Sequence, residues 1–178
     1  MYRVLPHIYA GNKYIFNRFF GFTYSISEDT DKSSTDDCIS NDLKYAMNPF
    51  LLKKREKSHY PEPTRIANCY AKMLVWLWKY CYPLIYIISH LRLPIYEDAG
   101  TANLVFRNIF NNKNQRILCL PRSIFIATTS KRFREHGTMF IGCFFPSRHM
   151  HAWVIEDGMQ ADLYDDRWIL FTPLAMMK

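Results

Sequence analysis

The chain has 178 residues, of which 49% are hydrophobic and 16% aromatic. That content of large apolar side chains excludes a disordered protein and suits one medium-sized domain, or one domain with a small appendage. The formal net charge of +7 permits nucleic acid or an acidic peptide as a partner and does not choose between them.

The five cysteines are odd in number and include no Cys-x-x-Cys pair. This spacing argues against a disulfide framework and a zinc ribbon, and it favours a reducing compartment. The N-terminal sequence contains no apolar run long enough for a signal peptide, so we expect a cytoplasmic location.

Strand patterns dominate the first sixty residues. Two short apolar runs in RVLPHIYAGNKYIF are joined at Gly11-Asn12, which is typical of a hairpin. In FGFTYSIS, large apolar residues alternate with small or polar ones, which predicts a half-buried third strand of a small antiparallel sheet. The alternating residues are Phe20, Phe22, Tyr24 and Ile26.

A boundary follows at residues 57–64, where two prolines and few apolar side chains prevent a helix from continuing. Thr64 is placed to cap a long apolar helix, which Pro83 should kink or end. Lys79 and Pro83 interrupt the apolar stretch 73–93, so we expect a soluble helix and no stable membrane insertion. A short helix should then cover residues 101–110.

In the last third of the chain, prolines and glycines mark the ends of helices and strands more clearly. Pro121 suits the first turn of a helix that should run to His136 and stop at Gly137. Cys119 would then lie at or just before the helix N-terminus. Two β-rich runs follow, TMFIGCFF and MHAWVIE, and the dipeptide Asp157-Gly158 predicts a tight turn into a third short strand.

Cys119 and His151 are the candidate nucleophile and base. A thiol attacks as its thiolate, and a helix N-terminus and an imidazolium both lower a cysteine pKa. Strand alternation places His149, His151 and Trp153 on one face of their strand. Asp162, the first acid after the tight turn, is the candidate orienting carboxylate. Its competitors are Glu156, Asp165 and Asp166.

Two simpler interpretations stand beside this one. Spacing alone gives equal weight to an inert, buried Cys119, because unpaired cysteines are among the most buried residue types. His149, His151 and Cys143 with an Asp could supply metal ligands, but the paired spacings of zinc sites are missing. We therefore predict no metal.

Two motifs resemble those of the leader peptidases of lasso-peptide biosynthesis, the B proteins of microcin-maturation type. CLPRSIF is similar to the Cys-Leu-x-Arg-Ser opening of that family's nucleophile helix, and HAWVIEDG to its His-Ala-Trp-Val-x-x-x-Gly hairpin. The motifs cover about residues 116–165. The chain has Leu163 where many members carry the orienting Asp, and Asp162 occupies the neighbouring place.

The resemblance implies an α+β fold of two parts. Residues 61–178 would form a papain/transglutaminase-like cysteine protease domain, and residues 1–60 a small winged-helix-like domain that recognises the leader. Phe20, Phe22 and Tyr24 would dock the leader as an added strand.

The resemblance also implies an activity. Cys119 would be the nucleophile, His151 the general base and acid, and Asp162 the orienter of a cysteine endopeptidase, with Trp153 touching the substrate. Cleavage would free the core N-terminus for macrolactam formation by a partner cyclase related to asparagine synthetases. That cyclase would use ATP, while this chain would need no cofactor and no nucleic acid. The same residues also permit an acyltransferase, or a module that binds the precursor without catalysis.

Overall fold

The computed structural model describes residues 2–5, 7–9, 12–16, 23–27, 61–111, 118–145, 147, 149–162 and 170–178. The helices are α1 (Arg65–Tyr80), α2 (Tyr82–Ile88), α3 (Ala99–Ile109), α4 (Cys119–Thr129) and α5 (Phe133–His136). The strands are β1 (Tyr2–Val4), β2 (His7–Tyr9), β3 (Asn12–Phe16), β4 (Thr23–Ser27), β5 (Gly137–Phe144), β6 (His149–Glu156), β7 (Met159–Gln160) and β8 (Thr172–Met177). Helices and antiparallel sheets together confirm the α+β class.

The strands form two antiparallel sheets. The larger has the order β1-β8-β5-β6-β7, and the smaller has the order β2-β3-β4. The small sheet is the one that the alternating N-terminal sequence predicts. Strand β1 lies in the larger sheet, although it belongs to the segment assigned to leader recognition.

Local signals fix the starts of the long helices. The hydroxyl oxygen of Thr64 accepts the N–H of Ala67 at 3.2 Å and caps α1. The carboxylate of Asp98 accepts the N–H of Thr101 at 2.9 Å and caps α3. Helix α1 ends at Tyr80, and Pro83 lies in the first turn of α2, as expected of a proline at this break.

The prediction of one helix from Cys119 to His136 is wrong. Helix α4 ends at Thr129, because Ser130 adopts an extended backbone and pairs with Tyr96 in an isolated bridge. The hydroxyls of Thr128 and Thr129 donate back to main-chain carbonyls at 2.8 and 2.6 Å. Such side-chain bonds compete with helix continuation.

Strand β8 was missed by the sequence patterns. Pro173 lies near its start, and a proline inside an apolar run argues against a central strand. The structure accommodates it where the pairing of β5 with β8 shifts register, between Ile141 and Gly142. A bulge of this kind is a usual place for proline in a sheet.

The two faces of the larger sheet carry different clusters. Helix α4 packs directly on β5 and β6, and α1 and α3 pack against α4. Ala152 and Val154 of β6 join the main cluster on this helix side. A smaller cluster contains Phe140, Trp153 and Ile155. Strand alternation assigns this smaller cluster to the opposite face.

Candidate active site

Cys119 is the first residue of α4 and is partly exposed. The residue before it, Leu118, makes no side-chain capping bond, and the first turn of the helix contains no acid. The first backbone N–H groups of a helix have no partner within it, and the helix dipole favours negative charge beside them. This position suits a thiolate.

Tyr82 is a neighbour of Cys119 that the sequence did not single out. Its hydroxyl lies 2.9 Å from the hydroxyl of Tyr86. Burial raises the pKa of Tyr82 above its ordinary value of 10.0, the bond to Tyr86 lowers it, and the charge of a Cys119 thiolate raises it further. The phenol therefore stays neutral at physiological pH and can donate a hydrogen bond beside the thiol.

His151 lies on β6 with only 4% of its surface exposed. Its ring centroid is 4.9 Å from that of Phe171 and 6.1 Å from that of Trp153, to which it is nearly parallel. The imidazole therefore packs against two aromatic rings on the face of the sheet that carries Trp153. His149, two residues earlier, is exposed.

Gly142 makes room for the indole in this arrangement. It pairs directly with His151 across the β5–β6 ladder. A Cβ atom at Gly142 would lie 2.8 Å from the ring of Trp153 and 2.5 Å from the carbonyl oxygen of Thr172. Glycine is required here because backbone and indole both approach closely.

Helix α4 runs in the same direction as β6. Its far end is fixed by Ser130, whose hydroxyl donates to Glu156 at the end of β6, at 2.7 Å. Nearer its start, Arg122 pairs with Asp162. Asp162 is held beside the middle of β6, because the N–H of the preceding residue donates to the carbonyl of Val154. Cys119 consequently lies toward the end of β6 that carries His151.

Asp162 is buried among positive charge. Its carboxylate lies 2.5 Å from Nη1 of Arg122 and 3.0 Å from Nη1 of Arg107, and it accepts the amide of Asn103 at 3.4 Å. The side chain of Arg122 is only 2% exposed. These contacts join α3 and α4 to the segment after β7. They give Arg122, a mark of the family resemblance, a structural role that the sequence did not reveal.

Of the three competing acids, only Glu156 belongs to the described residues. Glu156 accepts the N–H of Ala99 at 2.8 Å and the hydroxyl of Ser130 at 2.7 Å, so its carboxylate links the start of α3 to the end of α4. Asp165 and Asp166 lie outside the described residues. The choice of orienting acid stays a prediction, because the contacts of Asp162 come from the helix side and His151 stacks on the other face.

The remaining predicted site residues are spread through the fold. Phe20 and Phe22 lie outside the described residues, and Tyr24 lies on β4, paired with Ile15. Cys143 pairs with Met150 and belongs to the helix-side core, so strand alternation directs it away from His149 and His151.

The described residues include no clustered metal ligands and no membrane-spanning helix. No group of three or more His, Cys, Asp or Glu side chains in them is arranged to hold a metal ion. None of the helices formed by these residues combines the length and the apolar character needed to cross a membrane.

Comparison with protein-family models, with curated proteins and with solved structures finds no match for this chain.

Proposed function

We propose that this protein is a cysteine peptidase that cleaves the leader from a ribosomally made lasso-peptide precursor, in a fold related to papain and the transglutaminases. The observation that carries the proposal is the position of Cys119 at the start of α4, where no side chain caps the helix. The start of α4 lies level with the part of β6 that carries His151, although the His151 ring stacks on the face of the sheet opposite α4. A nucleophile at a helix start and a base on a neighbouring strand are the parts this chemistry needs.

The reaction would proceed in two steps. The Cys119 thiolate attacks the scissile carbonyl and forms a thioester with the leader, while the His151 imidazolium protonates the departing amine of the core. Water activated by His151 then hydrolyses the thioester and restores the thiol. Since Pro121 has no N–H and that of Arg122 is bonded to Leu118, the donors for the developing oxyanion would be the N–H groups of Cys119 and Leu120 and the phenol of Tyr82. The scheme requires the imidazole to reach the thiol.

Leader binding would use the small sheet. Strand β4 is the last strand in the order β2-β3-β4, so its outer edge is the natural place for an extended peptide to add a strand. Main-chain hydrogen bonds would hold the leader there, and the cut would free the α-amine of the core. A partner cyclase would then close the macrolactam with ATP. This reaction suits the cytoplasm, where thiols stay reduced.

A second candidate function is a module that binds the precursor without cutting it. The contacts of Asp162 and His151, the two predicted catalytic partners of Cys119, favour this function. The Asp162 carboxylate is paired with two guanidinium groups, and the His151 ring packs against Phe171. In that case the Cys119 thiol would have no catalytic role.

Covalent capture separates the two functions. A lasso-precursor peptide is mixed with the protein, and the mixture is quenched in acid after milliseconds to seconds and digested for mass spectrometry. A peptidase yields a leader adduct on Cys119 that hydroxylamine removes, together with the free core. If the precursor binds but neither an adduct nor a core fragment forms, with and without a cyclase, the peptidase proposal is wrong.

His151→Ala is expected to lower the rate of leader cleavage by roughly 10²–10⁴-fold, because general acid–base groups contribute that much. The matched control is His149→Ala, on the same strand and the same face but exposed, which should keep the wild-type rate. Single-turnover cleavage measures both. Equal cleavage rates for the two variants would show that His151 is not the general acid and base.

A further inference from the structure

Helix α1 presents an exposed apolar stripe away from the core. Ile66, Met73 and Tyr80 recur every seven residues, and Trp76 falls between the last two. These four side chains are between 39% and 64% exposed, although large apolar groups usually lie inside. Residues seven apart on a helix lie almost on one line, so the stripe is continuous along α1.

A row of cations follows one side of the stripe. Arg65, Lys72 and Lys79 also recur every seven residues, each directly before an apolar member, and all three are exposed. The ammonium of Lys79 lies 5.2 Å from the ring centroid of Tyr80, which in turn contacts the ring of Trp76 at 5.7 Å. Cations and aromatic rings therefore share one surface.

Further exposed apolar side chains follow α1 along the chain. Leu84 and Ile87 of α2 are 44% and 63% exposed, and Leu91 just after the helix is 53% exposed. The sequence contains no Asp or Glu between residues 63 and 96. We call the exposed apolar and basic residues of 65–91 the α1–α2 face. It combines apolar area with positive charge and contains no acid.

We propose that the α1–α2 face binds the anionic surface of a lipid bilayer. Exposed helices with aliphatic and aromatic residues beside Lys and Arg lie in the plane of such a surface, with apolar groups between the headgroups and cations at the phosphates. Trp and Tyr favour this boundary because each ring has an apolar body and a polar atom.

The charge pattern argues against a second copy of this chain as the occupant. Pairing two α1–α2 faces would bring six cations of the two rows together with no acid to compensate them, and like charges across an interface oppose association. An anionic lipid surface supplies the missing charge over the whole length of the helix. This inference is independent of the proposed peptidase activity.

Vesicle flotation tests the proposal. The full chain is mixed with vesicles of phosphatidylcholine alone, or of phosphatidylcholine with phosphatidylglycerol. We expect binding to the mixed vesicles, little binding to the neutral ones, and release by salt, because charges at a surface are screened. The combined change Arg65→Gln, Lys72→Gln and Lys79→Gln should weaken binding by about 100-fold, at about fivefold for each cation.

Matched variants complete the design. Lys131→Gln, Arg132→Gln and Arg134→Gln remove the same charge from exposed positions elsewhere and should keep most of the binding. Trp76→Ser should weaken binding, whereas Leu170→Ser, at another exposed apolar position, should not. Circular dichroism checks that each variant is folded.

Three results would overturn the proposal: no preference for anionic vesicles, equal losses in the two charge variants, or self-association that Trp76→Ser abolishes. The last result would identify the α1–α2 face as an interface between copies of the chain.

Discussion

Cys119→Ala is expected to abolish cleavage of the leader, whereas Cys69→Ala should leave the rate unchanged. In enzymes with a known catalytic triad, loss of the nucleophile lowers kcat by about 10⁶-fold, because the covalent route is removed and only weak background catalysis remains. Cys119 is the first residue of α4, where the helix dipole favours a thiolate, and Cys69 is an exposed thiol in the second turn of α1.

The measurement is the amount of free core peptide over time, followed by mass spectrometry with and without a partner cyclase. Cys119→Ser is a useful second variant, since it keeps a polar group of similar size and should also be inactive at neutral pH. If free leader and core accumulate at the wild-type rate with Cys119→Ala, then Cys119 is not the nucleophile.

Asp162→Asn is expected to lower the free energy of unfolding by about 3–5 kcal/mol, because it leaves a buried guanidinium without its counter-charge. Arg122 has only 2% of its side chain exposed and lies 2.5 Å from the carboxylate. For a chain of this size the loss corresponds to a fall in Tm of roughly 6–20 °C. The matched control is Glu97→Gln, which breaks an exposed ion pair with Lys131. The side chain of Glu97 is 63% exposed and that of Lys131 is 53% exposed. It should cost under about 1 kcal/mol.

The same variant separates two roles of Asp162. If the carboxylate orients His151, the folded Asp162→Asn protein loses cleavage by orders of magnitude, and Asp165→Asn does not. If the carboxylate only holds α3 and α4 in place, the folded fraction keeps its activity at low temperature. A double change with Arg122→Met should recover part of the lost stability, since of the two guanidinium groups only that of Arg107, whose side chain is 13% exposed, then lacks its counter-charge.

Local signals predicted the parts of the fold that depend on neighbouring residues. Pro121 and Thr64 indicated helix starts, and Asp157-Gly158 indicated the turn, in which Asp157 has a φ of 52° and Gly158 a φ of 69°. Alternation in MHAWVIE indicated which side chains of β6 share a face. Each of these signals depends only on residues a few positions apart, so it can be recognised in the sequence alone.

Contacts between distant residues were not predictable in the same way. The pairing of Arg122 with Asp162 joins residues forty positions apart, and the influence of the Cys119 charge on the pKa of Tyr82 acts between two helices. Neither interaction leaves a periodic trace in the sequence. The end of α4 depends likewise on distant residues, because Ser130 pairs with Tyr96 in a bridge and donates a hydrogen bond to Glu156.

The pairing of β1 with β8 affects how the molecule could be divided. Strand β1 is bonded to β8 from Tyr2 to Val4, and the N–H of Leu5 continues the ladder to the carbonyl of Leu174 at 2.7 Å. The small sheet is therefore looped out between β1 and α1. A fragment starting at residue 61 would lack its border strand and expose the backbone of β8, so gene fusions or split versions should keep β1 with residues 61–178.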